Sequence, residues 1–144
     1  MNVDGILRAK GTRVATIRPD ATVVDLLRRL RDENVGAMVV SDDGHHLDGI
    51  VSERDVVRAL AQIGGRVLQQ RVSEIMTTEV TTCSPADSVK ALMGLMTTHR
   101  IRHLPVLSNG LLVGIVSMGD VVKNRLDEMA TETSVLRETY LGAR

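Results

Sequence analysis

Apolar residues along this chain fall into two rhythms, and the same succession of rhythms occurs twice. Val23, Leu26, Leu27 and Leu30 stand at i, i+3, i+4 and i+7, with Arg28, Arg29, Arg31, Asp32 and Glu33 on the other face, which predicts an amphipathic helix with one dry side. Residues 14–17 before it read as a strand, and Pro19-Asp20-Ala21-Thr22 supplies a turn and a helix start. After it, residues 36–40 and 47–51 read as two antiparallel strands joined through Asp42-Asp43-Gly44. Helical spacing resumes at Glu53, runs through Val56, Val57 and Leu60, and ends near Gly64-Gly65. The unit is β-α-β-β-α. It recurs with residues 80–83 as strand, 85–98 as helix and 103–107 as strand. Asn109-Gly110 is a turn pair suited to a type I′ hairpin, followed by strand 111–116 and a helix from Met118.

The recurrence is one of residues as well as rhythm. Gly49-Ile50-Val51-Ser52-Glu53-Arg54-Asp55-Val56-Val57 returns as Gly114-Ile115-Val116-Ser117-Met118-Gly119-Asp120-Val121-Val122, seven of nine positions identical. Setting Pro19 against Pro85 also aligns Leu26 with Leu92, Leu30 with Met96 and Val40 with Val106. An internal repeat of this kind divides the chain into residues 1–68, residues 69–126 and a tail at 127–144. Each repeat has a lead-in, Asp4 to Ala9 for the first and Ser73-Glu74-Ile75-Met76 for the second, where Ser73 is placed to cap a helix. Residues 64–71 link the repeats. The tail stays helix-compatible to Tyr140, with Leu126, Met129, Ala130, Val135 and Leu136 to bury, on the module's own surface or at a dimer contact.

Composition narrows the function classes. Lys plus Arg equals Asp plus Glu at 18 each, so no net field draws the protein to nucleic acid or an anionic membrane. Neither Phe nor Trp is present, which removes the platforms on which single-stranded bases stack. The core is left to Val, Leu, Ile, Ala and the 7 methionines, which fill gaps in an aromatic-free interior. At 144 residues, two small units sharing a core are expected. The single Cys83 forms no internal disulfide, and Asp4, Arg8 and Lys10 interrupt any signal-peptide hydrophobic region. No apolar run approaches the roughly 20 residues of a membrane helix. A soluble, cytoplasmic protein is expected.

The candidate chemistry lies in the repeated phrase. Ser-x-x-Asp at a strand-to-helix junction offers free N–H groups, the positive end of a helix dipole and a hydroxyl to a phosphate. The Asp one turn on can accept both hydroxyls of a ribose. The same four residues also spell a capping box, and the two roles can coexist.

Two β-α-β-β-α units whose third strand runs into Gly-h-h-Ser-x-x-Asp-h-h (h, apolar), with His-Leu-Pro-Val at residues 103–106, resemble a tandem pair of CBS domains, the Bateman module, over about residues 1–126. The resemblance implies an α+β fold of two pseudo-symmetric repeats packed through their sheets, with an extra C-terminal helix here. It also implies two clefts for adenine nucleotides (AMP, ADP, ATP, S-adenosylmethionine or NAD(H)), no required cofactor, and a homodimeric disc. Carried onto this chain, the first cleft comprises Ser52, Arg54 and Asp55, with Thr78, Val80, Arg102, His103 and Pro105 facing them. The second comprises Ser117 and Asp120, faced by Thr12, Val14, Gly36, Ala37 and Met38. On that carry-over the first cleft is cationic, through Arg54, Arg102 and His103, and the second less charged, since Gly119 replaces Arg54.

The module is then a nucleotide sensor read by an unknown regulated protein, with no nucleic-acid or membrane partner and no enzyme activity. The alternative is a ligand-free interaction module acting through its sheet surface and tail helix. A hydrolase built on Ser117, His103 and Asp120 lacks the nucleophile elbow such chemistry uses. His45 and His46 beside Asp42, Asp43 and Asp48 read as a solvated turn rather than a metal site, and Cys83 as buried and inert.

Overall fold

The computed structural model describes residues 1–11 and 13–142. Its helices are α1 (Val3–Lys10), α2 (Val23–Glu33), α3 (Glu53–Ile63), α4 (Val72–Ile75), α5 (Val89–His99) and α6 (Met118–Gly142). Its strands are β1 (Thr16–Ile17), β2 (Ala37–Val40), β3 (Gly49–Ser52), β4 (His103–Ser108) and β5 (Leu111–Ser117). The fold is α+β, built from two repeats with a C-terminal helix.

In the first repeat β1 runs parallel to β2, and β2 antiparallel to β3 with Ala37 opposite Ser52. In the second, β4 and β5 form the hairpin, His103 is opposite Ser117, and a single parallel bridge from Cys83 to Val106 stands in for the β1 pairing. The expected first strands at 14–17 and 80–83 are thus reduced to two residues and to one bridge. Helix starts follow local chemistry. The Thr22 and Ser88 hydroxyls accept the N–H groups of Asp25 and Ala91, at 3.2 and 3.0 Å. Both α2 and α5 end on a left-handed residue, Asn34 and Arg100, each with φ near 54°. Asn109 and Gly110 have φ of 53° and 79°, as the type I′ reading requires.

Several expectations are corrected. The cap of α4 is Arg71, with Glu74 reaching back to the Arg71 N–H, so Ser73 lies inside the helix. Residues 64–69 are a 3₁₀ helix rather than a plain link. The tail does not fold onto the module: α6 runs straight on from β5, and Leu126, Met129, Val135 and Leu136 stay 50–70% exposed. One shared core is replaced by two clusters. The first centres on Leu26, Met38, Val40 and Val51, and the second on Leu92, Met96, Leu104 and Val116.

The sequence divides near residue 68, but the cores do not divide there. Val3, Ile6 and Leu7 of α1 are buried in the second repeat's cluster, while Val72, with Ile75 and Met76, closes the first repeat's. The exchange is fixed by matching backbone bonds. Val72 N–H donates to Ala21 and Ser73 N–H to Pro19, as Val3 N–H donates to Asp87 and Asp4 N–H to Pro85. Each lead-in therefore lids its neighbour's sheet.

The two glycines that open the repeated phrase let those lids approach. A methyl group on Gly49 would lie 2.7 Å from the Thr77 carbonyl oxygen, and one on Gly114 would lie 2.5 Å from Leu7 Cδ2, whereas Gly94 in α5 faces open space. Gly49→Ala, pressed on backbone that cannot rotate away, should cost about 1–3 kcal/mol. Gly94→Ala should add roughly 0.5–1 kcal/mol through helix propensity. Urea unfolding of both variants checks this, and equal behaviour of the two would remove the close-approach argument.

Candidate functional site

Both copies of Ser-x-x-Asp sit where a strand becomes a helix, and both are capping boxes. At β3 to α3, Asp55 Oδ2 accepts the Ser52 N–H at 2.8 Å and the Ser52 hydroxyl at 3.1 Å, and the Asp55 N–H points back to Ser52 Oγ at 3.4 Å. At β5 to α6, Asp120 Oδ2 accepts the Ser117 N–H at 2.9 Å, and Ser117 Oγ accepts the Asp120 N–H at 3.1 Å. The first-turn amides of Glu53 and Met118 donate to Gly36 and Arg102 carbonyls, at 3.0 and 2.8 Å. The Arg54 N–H, and in the second copy the Gly119 N–H, is the other amide of the first helical turn ahead of the intrahelical ladder. Each junction thus keeps one outward donor for an anion.

The surroundings of the two junctions differ from the expected division. His103 was assigned across to Ser52, yet hairpin register sets it beside Ser117 of its own repeat, just as Ala37 is set beside Ser52. Its ring also reaches the first repeat, with Cε1 3.8 Å from where a side chain on Gly36 would begin, next to the Glu53 carboxylate. His103 therefore belongs to the boundary between repeats, on the Asp120 side. Burial lowers its pKa; Asp120 raises it, Lys10 and Arg102 lower it, Glu53 raises it, and the balance is a lowered value.

The second junction is consequently not the less charged one. Lys10 Nζ donates to Asp120 Oδ2 at 2.6 Å and to the Ile115 carbonyl at 2.9 Å. Burial alone would raise the Asp120 pKa, but the hydrogen bonds from Lys10 and Ser117 and the lysine's charge outweigh it and lower the value. Asp55 has no such ion pair among the described residues. Lys10 and Glu53 are the charged neighbours of the junctions that sequence reasoning missed. The signal for Lys10 lay in the length of its lead-in, since Val3 is 16 residues before Pro19 while Val72 is only 13 before Pro85.

The other expected residues are placed as follows. Arg54 is exposed in the first turn of α3, and Arg102 is exposed immediately before β4. Pro105 is buried within β4, its carbonyl accepting the Cys83 N–H at 3.0 Å, on the sheet face it shares with His103 and opposite the core face of Leu104 and Val106; Met38 is fully buried in the first core, where the pleat turns it away from any cleft. Thr78 is exposed and follows the Ile50–Thr77 pairing, whose antiparallel register carries it toward Gly49 and away from Ser52. Val80 and Val14 are half-buried outside any strand. Gly36 and Ala37 open β2 beside Glu53 and Ser52, and Thr12 lies outside the described residues.

An open hollow of about 440 Å³ includes Gly36 and Glu53; another of about 580 Å³, lined in part by Arg18, Asp42 and Arg71, lies at the far end of the first sheet. In the first hairpin, Asp43 accepts the N–H groups of His45 and His46 and holds the His46 ring at 2.5 Å. Those bonds complete a turn, and no metal-ligating cluster occurs among the described residues. Cys83 is buried, its thiol pushed up to about 12 by burial and by Asp87.

Two strand-to-helix Ser-x-x-Asp junctions on exchanged β-α-β-β-α repeats also match a known family in sequence. A family model for the CBS domain matches residues 11–62 and 72–127. The chain belongs to the CBS-domain family. The CBS domain-containing protein YhcV of Bacillus subtilis is 39% identical over 116 residues, spanning 80% of this chain and 81% of that one. The CBS-domain containing protein ATU1752 of Agrobacterium tumefaciens superposes with a TM-score of 0.84 at 44% identity, covering 87% and 99% of the two chains. The CBS domain pair of protein MJ0100, solved in complex with 5′-methylthioadenosine and S-adenosyl-L-methionine, superposes with a TM-score of 0.76 at 25% identity, covering 85% and 98%. No helix among the described residues of this CBS pair is long and apolar enough to cross a membrane.

The buried setting of His103 has a pH consequence. With its folded pKa below the ordinary 6.5, the unfolded chain takes up the proton more readily, so stability is complete above about pH 6.5 and falls as pH drops below it. Imidazole titration by NMR should place His103 below the ordinary 6.5, and His103→Gln should flatten stability between about pH 5 and 7. A His103 titration at or above the ordinary value would contradict the placement.

Proposed function

We propose that this CBS pair is a regulatory module that binds an adenine nucleotide, of the AMP, ADP, ATP, NAD(H) or S-adenosylmethionine type, at its Ser-x-x-Asp junctions. An unidentified protein partner reads the occupancy, and the module itself carries no catalytic step. The observation that supports this most directly is the Ser52–Asp55 junction. It combines a carboxylate with no ion pair among the described residues, a serine hydroxyl, an outward Arg54 N–H and an exposed arginine side chain. A ribose diol suits the carboxylate and a phosphate suits the helix end. The adenosine compounds bound by the MJ0100 pair belong to the same chemical class.

Two further elements of the reading concern assembly and location. The exposed Val57 and Leu60 of α3, and Val122, Leu126 and Met129 on one stripe of α6, offer an apolar helical face for a homodimer. The module acts in the cytoplasm. That same exposed α6 stripe favours the second reading, an interaction module whose junctions stay empty.

A thermal-shift panel of nucleotide-stripped protein with AMP, ADP, ATP, NAD, NADH, S-adenosylmethionine and GMP separates the readings. A ligand at 100 times its Kd stabilises the fold by about 2.7 kcal/mol, a shift of several degrees for a chain this size. A response confined to adenine compounds supports the sensor, and a flat panel at saturation supports the interaction module. Asp55→Ala should weaken binding by about 1.5–3 kcal/mol, the worth of a hydrogen bond to a charged group. Unchanged affinity would remove Asp55 from the site.

A further inference from the structure

The two lead-in segments lid their partner sheets in the same way, yet they end differently. Val3 and Val72 occupy equivalent places, since each donates to the carbonyl two residues after the turn proline. Three residues further on in α4 the helix ends at Ile75, and Thr77 goes on to pair with β3, exchanging both backbone bonds with Ile50 at 3.0 and 2.9 Å. The first lead-in is three residues longer and stays helical to Lys10. Gly11 then closes the helix with φ of 94° and its N–H on the Leu7 carbonyl at 2.8 Å. The Ile115 carbonyl, counterpart of Ile50, takes the Lys10 ammonium in place of a backbone N–H. Leu7, seated over Gly114, holds α1 against β5 one turn before the lysine. The same ammonium lies on Asp120 Oδ2.

We infer that Lys10 is a built-in occupant of the second Ser-x-x-Asp junction, competing with a ribose diol for Asp120, so that the CBS pair takes one nucleotide per chain, at Ser52–Asp55. The inference rests on the nucleotide reading of the Ser-x-x-Asp junctions. A carboxylate already bonded to an ammonium and a backbone N–H offers a diol less than one bonded only to its own serine. The diol binds only while the lysine is away, and the apparent Kd is the intrinsic Kd divided by that fraction. A lysine in place about nine-tenths of the time weakens the second site about tenfold. Helix α1 thereby sets the stoichiometry, although it precedes both repeats in the chain.

Calorimetric titration of the full chain with AMP and with S-adenosylmethionine tests this. The wild type should bind one molecule per chain tightly, with that site weakened about 10- to 150-fold in Asp55→Ala. Lys10→Met should bind two, and the Lys10→Met/Asp55→Ala double variant should keep one. Lys10 is exposed at the end of α1, and Lys10→Gln, which retains the stem, gives the same reading if methionine perturbs the helix. One molecule per chain in every Lys10 variant, or two equal sites in the wild type, would overturn the lysine's role. So would loss of AMP but not S-adenosylmethionine in Lys10→Met, because the lysine would then be a phosphate ligand. Binding of neither compound by any variant would overturn the nucleotide reading itself, and this inference with it.

Discussion

Everything in this molecule depends on the exchange of lead-in helices between repeats. A three-stranded or two-stranded sheet covered by two helices leaves a strip of apolar surface at its edge, and a repeat of some 55 residues has little left to cover it. Val72 with Ile75 and Met76, and Val3 with Ile6 and Leu7, close those strips, each from the other side of the chain's own division. The glycine that opens each repeated phrase follows from the same contact, because a side chain there would strike the lid. Neither repeat is complete without residues that precede its neighbour, so the pair folds as one object.

That exchange also marks the limit of what could be read from the chain. Element type and order were legible because the periodicities of α2 and α3 are strong and the second copy, whose α5 is less amphipathic, repeats their order. The capping boxes were legible because Ser-x-x-Asp is local. What was hidden is non-local. Nothing in residues 3–10 says which sheet they cover, and an alignment of the repeats by Pro19 and Pro85 conceals that the first lead-in is three residues longer. Lys10 was passed over for that reason, being distant from Asp120 by 110 positions.

The misplacement of His103 has a different origin. A family resemblance assigns residues across a cleft, whereas hairpin register assigns them along a sheet, and for a residue at the start of β4 both hold. Its backbone is committed to Ser117 while its ring reaches Gly36 and Glu53 of the other repeat. Position in one repeat and influence on the other are thus compatible. Met38 was misread more simply, since the period of two along β2 sets it with Val40 on the core face and the resemblance does not carry that parity, whereas Pro105 keeps the parity of His103.

The repeated phrase keeps seven of nine residues, and those seven are the ones that dictate backbone: the close-approach glycine, the apolar strand, the Ser and Asp of the cap, the two valines that follow. Duplication has therefore preserved the shape of the junction almost fully while leaving its electrostatics free. Arg54 against Gly119 changes the charge of the helix end, and Lys10 against a backbone N–H changes the charge on the carbonyl and carboxylate. Coulomb terms of this kind reach several ångströms and need no change of fold to act. The two junctions are alike in geometry and unlike in charge, and any ligand that reads both sugar and phosphate must distinguish them.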